Sequence, residues 1–123
     1  MPMLALGVSQ PINWLENNLR LSSDGFEGFD YNTDKDGIWF EGTAQMAEAY
    51  QALGMNTKAE KYRNELRRAQ AANIEENYND GKGIISASHN SVTTGFGWSL
   101  YKIMGLAPTC WFIFDEIYFN PLN

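Results

Sequence analysis

Three acids near the middle of the chain are the residues whose types and spacing most favour chemistry. Asp34, Asp36 and Glu41 lie close together in the sequence. Glycoside hydrolysis needs two carboxyl groups, one as acid and one as base or nucleophile, about 5 to 10 Å apart. Glu41 stands at the predicted start of a helix, where the helix dipole favours the ionised carboxylate. The spacing therefore makes these acids candidate catalytic residues for a reaction on a sugar.

A structural explanation of the same acids stays open. An acid in the first turn stabilises a helix through the dipole, which is a sufficient reason for Glu41. Asp36 is followed by Gly37, and aspartate before glycine is common in plain polar turns. On this explanation the acids support the fold and take no part in chemistry.

The loop before the helix also resembles the opening of a calcium-binding loop. Asn32, Asp34 and Asp36 offer side-chain oxygens at alternate positions, and Gly37 allows the sharp turn. The twelfth position of a full loop carries a glutamate, whereas this chain has Thr43 there. We therefore expect no cofactor and no metal, with calcium at these three oxygens as the alternative.

Four further residues are candidates for contact with a substrate. Trp39, Phe96 and Trp98 lie in or beside glycine-containing loops, and the apolar C–H face of a sugar ring stacks well on an aromatic ring. His89, the single histidine, lies in a polar loop and joins them as a candidate substrate-binding residue. The alternatives are core packing for the aromatic rings and loop ordering for the histidine.

The elements that must position these residues are predicted to be helices. Apolar residues recur at helical spacing in four segments, 9–20, 41–54, 57–72 and 107–119. The short connection between the second and third segments predicts an αα-hairpin. A short strand over 84–88 is the one further element that the pattern allows. We therefore predict an all-α fold.

Two segments constrain how these helices pack. Residues 22–37 form a long connection rich in aromatic and glycine residues, and we expect it to lie ordered over the domain. The last helix is apolar on every side, which is typical of a helix that is buried all round. A domain with about four helices has difficulty burying both faces of one of them. We therefore expect this helix to pack inside something larger or against a second copy of the chain.

Length, charge and cysteine content set the outer bounds. The 123 residues are predicted to form one domain, and 44% of them are hydrophobic. A net charge of −6 argues against a nucleic-acid partner. The single Cys110 excludes an internal disulfide. We find no signal peptide and no apolar run of membrane-spanning length, so we expect no membrane partner and, by default, a cytoplasmic location.

Several stretches together resemble the six-hairpin glycosidase superfamily, whose fold is an α/α toroid. The matching stretches are 28–34, 36–46, 94–98 and 109–114, with the closing Asn120-Pro121. The resemblance implies a partial α/α toroid in which residues 1–123 are one helical domain from the C-terminal part of a longer protein. It also implies carbohydrate chemistry in that longer protein, with the isolated chain inactive by itself.

Two functional hypotheses follow. The first is a glycoside hydrolase-like segment that binds or processes a sugar substrate. The second is a non-catalytic helical module for packing or oligomerisation. The expected partners are a carbohydrate and either a second copy of the chain or the remainder of a longer protein.

Overall fold

The chain folds into a mixed α/β structure. The computed structural model describes residues 9–72 and 80–119, of which 48% are helical and 17% lie in strands. The predicted all-α fold, and with it the partial α/α toroid, is therefore wrong. The physical reason is that segments expected to be loops pair through backbone hydrogen bonds into three small antiparallel sheets.

Four helices are present among the described residues. They are α1 Ser9–Asn18, α2 Phe40–Ala52, α3 Asn56–Ala71 and α4 Leu106–Glu116. Each matches one predicted segment, with ends that differ by at most three residues. The N-cap residue of α3 is Met55, with no side-chain cap hydrogen bond.

The α2–α3 hairpin is confirmed and provides much of the core. Gly54, with φ of 74°, ends α2 in the left-handed conformation that glycine adopts without strain. The rings of Tyr50 and Tyr62 stack at 5.7 Å between centroids, with an interplanar angle of 12°. Both side chains are at most 2% exposed, so the two helices are held by an apolar, aromatic contact.

A β-hairpin follows α1 in a region that the sequence analysis treated as loop. Strand β1, Arg20–Ser23, pairs antiparallel with β2, Phe26–Phe29. Asp24 and Gly25 form the turn with φ of 54° and 83°. An Asp-Gly pair between two short strands is a strong hairpin signal, because both central residues of such turns need positive φ. The turn signal of this hairpin was therefore present in the sequence, although residues 22–37 were predicted to be a connection without strands.

Two shorter strand pairs lie beyond the helical hairpin. Strand β3, Ile84–Ile85, pairs with β6, Met104–Gly105, and β4, Val92–Thr93, pairs with β5, Ser99–Leu100. The strand expected over 84–88 is confirmed for its first two residues only. These pairs fold the chain between 84 and 105 back onto the start of α2.

Two apolar clusters meet at α2. The first joins α2 to the hairpin, α3, β3 and α4, and includes Phe26, Ile38, Phe40, Leu66, Ile84 and Phe112. The second joins α1, β2, α2 and α3, and includes Ile12, Phe29, Met46, Tyr50 and Tyr62. The N-terminal half of α2 therefore packs in the first cluster, with Phe40 and Ala44, and its C-terminal half packs in the second, with Met46 and Tyr50.

The last helix, α4, is buried on one side only. Pro108, Phe112 and Asp115 are its buried residues, whereas Leu106 is 82% exposed and Ile113 is 49% exposed. This agrees with the expectation that the chain by itself does not bury both faces of this helix, and packing inside something larger or against a second copy stays a prediction. None of the described helices combines the length and the apolar character needed to cross a membrane.

Candidate functional site

The loop between β2 and α2 brings three aspartates together. Asp30, Asp34 and Asp36 each have a carboxylate oxygen within 4.8 Å of the others. The base of this loop is closed by the Trp39 backbone nitrogen, which donates to the carbonyl oxygen of Phe29 at 2.9 Å. The acids therefore meet because β2 and α2 hold both ends of a short loop.

Asp30 organises this loop from a buried position. Its side chain is 1% exposed. The backbone nitrogens of Tyr31 and Asp36 donate to its two oxygens at 2.6 and 2.9 Å. The Asp36 nitrogen also donates to Asp34 Oδ1 at 3.2 Å. The carboxyl group of Asp30 thus takes the place of backbone hydrogen bonds that an irregular loop lacks.

The environments of Asp30 and Asp34 move their pKa values in opposite directions. Burial, with a further contribution from Asp34 and Asp36, raises the pKa of Asp30 to about 7. The pKa of Asp34 is lowered, chiefly by the hydroxyl group of Thr93, which donates a hydrogen bond to it. Near neutral pH, Asp30 therefore retains a proton for much of the time while Asp34 is ionised.

Residues 89–93, which lie far along the chain, form hydrogen bonds with this loop. The Thr93 hydroxyl group donates to Asp34 Oδ2 at 2.5 Å, and the Thr93 nitrogen donates to Asp36 Oδ2 at 2.9 Å. In the same region, the Ile38 nitrogen donates to Ser88 Oγ at 3.0 Å. The loop between β2 and α2, which we call the acid loop, is thus ordered by side chains and backbone groups that lie far along the chain.

His89 takes part in this joining of the two segments. Its Nε2 lies 2.7 Å from the carbonyl oxygen of Asp36, and its Nδ1 lies 2.8 Å from that of Asn90. Both ring nitrogens can donate to these carbonyls only when the ring is protonated. The two carbonyls therefore raise the pKa of His89. The predicted substrate-binding histidine has both ring nitrogens engaged with backbone.

An aromatic group centred on Tyr31 lies beside the acids. The Tyr31 ring centroid is 4.7 Å from that of Trp39, 5.6 Å from that of Trp98 and 6.4 Å from that of Phe96. Phe96 is 77% exposed and Trp98 is 51% exposed. The three aromatic residues singled out from the sequence are thus brought together, and Tyr31, which was not selected there, connects them. We call these four residues the aromatic surface.

Trp39 connects this surface to the helix. Its carbonyl oxygen accepts hydrogen bonds from the nitrogen and the hydroxyl group of Thr43, both at 3.0 Å. Its ring lies over Gly42, where an added Cβ would come within 2.2 Å of Trp39 Cε3. Glycine at position 42 therefore allows the ring to pack against the helix backbone.

Glu41 lies apart from the three-aspartate cluster. It is partly exposed in the first turn of α2 and accepts a hydrogen bond from Gln45 Nε2 at 3.1 Å. It makes no side-chain cap, because the N-cap residue is Trp39, with no side-chain cap hydrogen bond. Of the predicted catalytic residues, the structure brings Asp34 and Asp36 together, and Asp30 rather than Glu41 completes the cluster.

The cluster also has the donor set for a hard cation. Calcium binds oxygen ligands at 2.3 to 2.6 Å, so ligand oxygens around one ion lie up to about 5 Å apart. Asn32 Oδ1 and Asp36 Oδ1 are buried and have no hydrogen-bond partner among the described residues. The calcium alternative at Asn32, Asp34 and Asp36 stays a prediction, with Asp30 as a further oxygen donor. Three ionised carboxylates at this distance would repel one another, and a proton on Asp30 reduces that repulsion without a metal.

The space next to the acids is small. A cavity of about 140 Å³ is lined by Leu15, Leu19, Phe29, Asp30, Trp39, Gly42, Gln45 and Met46. Ligand pockets usually enclose about 300 to 1,000 Å³. A second cavity of about 410 Å³ is lined by Asp80, Lys82, Gly83, Met104, Gly105, Leu106 and Thr109, none of which belongs to the acid cluster or the aromatic surface. A ligand at the acids would therefore bind on an open surface.

Sequence reasoning missed Tyr31, Thr93 and the organising role of Asp30. Asp30 and Tyr31 had a local signal, because they sit in the same glycine-aromatic-acid run as the selected residues. Thr93 had none, since 59 positions separate it from its partner Asp34. Searches against protein-family models, curated proteins and solved structures each gave no match for this chain.

Proposed function

We propose that this chain is a carbohydrate-binding segment whose sugar-binding surface is formed by Tyr31, Trp39, Phe96 and Trp98 beside the acid loop. The observation that carries this proposal is the exposure of Phe96 and Trp98, whose rings both contact the ring of Tyr31 in the loop that holds the acids.

Exposed aromatic rings are the first support. Leaving large apolar side chains in water costs free energy, and clustered exposed aromatic residues commonly mark a binding surface. Phe96 lies between Gly95 and Gly97, both with the positive φ that glycine adopts without strain, so a tight turn presents this ring. A sugar ring has an apolar C–H face that covers such a ring, while its hydroxyl groups remain free to bond elsewhere.

The acids supply the polar half of such a surface. Asp34 is exposed, and the hydroxyl group of Thr93 favours its ionised form. An ionised carboxylate accepts hydrogen bonds from sugar hydroxyl groups more strongly than a neutral acceptor does. The negative charge also disfavours phosphate groups, which separates this surface from aromatic surfaces that bind nucleic acids.

The geometry favours binding over cleavage. The widely separated pKa values of Asp30 and Asp34 resemble those of an acid and base pair in a glycosidase. However, Asp30 is 1% exposed and cannot protonate a glycosidic oxygen outside the protein. We therefore assign Asp34 and Asp36 to ligand binding and loop ordering, and we expect no hydrolysis by the isolated chain.

The test is a titration with a panel of neutral oligosaccharides, monitored by tryptophan fluorescence. We expect saturable binding that Trp98→Ala or Phe96→Ala weakens about tenfold or more, which corresponds to about 1.4 kcal/mol. Trp14→Ala is the matched control, because Trp14 is also 51% exposed but belongs to α1. Absence of binding, or equal weakening in the control, would contradict the proposal.

A packing or oligomerisation module is the second candidate function. The α4 end of the chain exposes Leu106, Ile113, Ile117, Tyr118 and Phe119, each at least 49% exposed. The charge of Glu116 is balanced by Arg67 of the same chain, at 2.7 Å. A second copy of the chain could therefore pack against these apolar residues without repulsion from Glu116.

We expect the chain to form dimers or larger species at micromolar concentrations if this second function holds. Ile113→Glu would then shift the population to monomer, since it buries a charge in the contact. Trp14→Glu is the control, because it places the same charge at an equally exposed site on α1. Sedimentation velocity measures both, and a monomeric wild-type chain would exclude this function.

A further inference from the structure

A cluster of buried ionisable groups lies where α2, α3 and α4 meet. Glu48 of α2 is 6% exposed, Asp115 of α4 is 0% exposed and Arg63 of α3 is 3% exposed. The two carboxyl groups are close enough to influence each other's pKa. Glu48 Oε2 and both oxygens of Asp115 have no hydrogen-bond partner among the described residues. A carboxyl–carboxyl hydrogen bond requires a proton on one of the two groups.

The charged groups around Glu48 and Asp115 do not remove the need for a proton on one of these two acids. Arg63 donates to Glu60 Oε2 at 2.8 Å and to Gln51 Oε1 at 2.7 Å, so its charge is already balanced by another acid. Glu116 adds a negative charge on α4 and is paired with Arg67. The strands that also pack against α4 contribute only Ile84, Ile85, Met104 and Gly105, which do not titrate. Two ionised carboxylates in this site would therefore repel each other at low dielectric.

We propose that Glu48 and Asp115 hold one shared proton that α4 needs in order to pack against α2, so that docking of α4 weakens as pH rises. Replacing either acid with its amide would remove the repulsion between the two groups and weaken this dependence. The inference is independent of the carbohydrate proposal, because it concerns neither the acid loop nor the aromatic surface.

The direction of the pH effect follows from the pKa values. Burial raises the pKa of Asp115 to about 9 and also raises the pKa of Glu48. In the unfolded chain both carboxyl groups lose their protons near pH 4. Between about pH 4 and pH 9 the folded chain therefore holds a proton that the unfolded chain has released. Its stability therefore falls as pH rises, and it is greatest at the acid end of this range.

The first test compares the unfolding equilibrium of three proteins between pH 6 and 9. Glu48→Gln supplies a hydrogen-bond donor that never ionises. We expect the unfolding constant of the wild type to rise, relative to this variant, by up to about tenfold per pH unit. Glu116→Gln is the control, because it removes an exposed acid next to Asp115 and should keep the wild-type slope. Equal slopes in wild type and Glu48→Gln would overturn the proposal.

The second test reports on α4 itself and remains valid if Glu48→Gln does not fold. Cys110, the single cysteine, lies on α4, so its rate of reaction with a thiol reagent measures how far this helix is docked. Dividing by the rate in denaturant at the same pH removes the titration of the thiol. We expect protection of Cys110 to fall as pH rises in the wild type and to fall less in Asp115→Asn. Protection that is independent of pH in the wild type would refute the shared proton.

Discussion

Replacing Phe40 with alanine is expected to lower the free energy of unfolding by about 3 to 5 kcal/mol. Phe40 is fully buried at the first position of α2, and its ring meets that of Phe26 edge to face at 5.2 Å. It belongs to the same apolar cluster as Leu66 and Ile84. Truncation would therefore leave a cavity where helix, hairpin and strand meet. Chemical denaturation monitored by circular dichroism measures the change.

Phe96→Ala is the matched control for this prediction. The Phe96 ring is 77% exposed, so its removal should change the free energy of unfolding by about 0.5 kcal/mol or less. The two phenylalanines thus separate two roles, since one supports the fold and the other serves the proposed sugar surface. A loss of stability from Phe96→Ala that matches that of Phe40→Ala would contradict this division.

Replacing Asp30 with alanine is expected to cost about 2 to 4 kcal/mol at pH 5. The change removes both acceptors for the backbone nitrogens of Tyr31 and Asp36, and each unsatisfied buried donor costs about 1 to 3 kcal/mol. Asp30→Asn keeps one acceptor oxygen and should cost about half as much. Denaturation of the two variants measures the difference. Equal stability of Asp30→Ala and wild type would mean that the loop is ordered without Asp30.

The contribution of Asp30 to the free energy of unfolding also depends on pH. Because the pKa of Asp30 is raised to about 7, the folded chain holds a proton between about pH 4 and 7 that the unfolded chain has lost. The contribution of Asp30 to stability is therefore largest at low pH and decreases towards pH 7. The difference in stability between wild type and Asp30→Ala should shrink accordingly as pH rises.

The helices of this protein were predictable because their signals are local. The stripe Ala59, Tyr62, Leu66 and Ala69 repeats at helical spacing, and all four side chains are at most 2% exposed. A helix makes its backbone hydrogen bonds within one segment, so a pattern of neighbouring residues is sufficient to identify it. Gly54 marked the end of α2 for the same reason.

The short strands were not predictable by periodicity. A two-residue strand such as β3 or β4 shows no alternation, and its partner lies elsewhere in the chain. The β1–β2 hairpin is different, since its Asp-Gly turn was visible in the sequence. Its strands alternate only weakly between exposed and buried positions, which hid them in a run of glycine and aromatic residues.

The sequence by itself determined the helical segments, the position of the acid loop before α2 and the aromatic residues that flank it. Only the tertiary structure decided which acids meet and how their pKa values shift, since burial raises the pKa of Asp30 to about 7 and a hydrogen bond from Thr93 lowers that of Asp34. It likewise decided that Glu48 and Asp115 meet inside the protein. The physical reason is that solvent exposure and long-range contacts set the charge and partners of a carboxyl group, and neither is present in the order of residues along the chain.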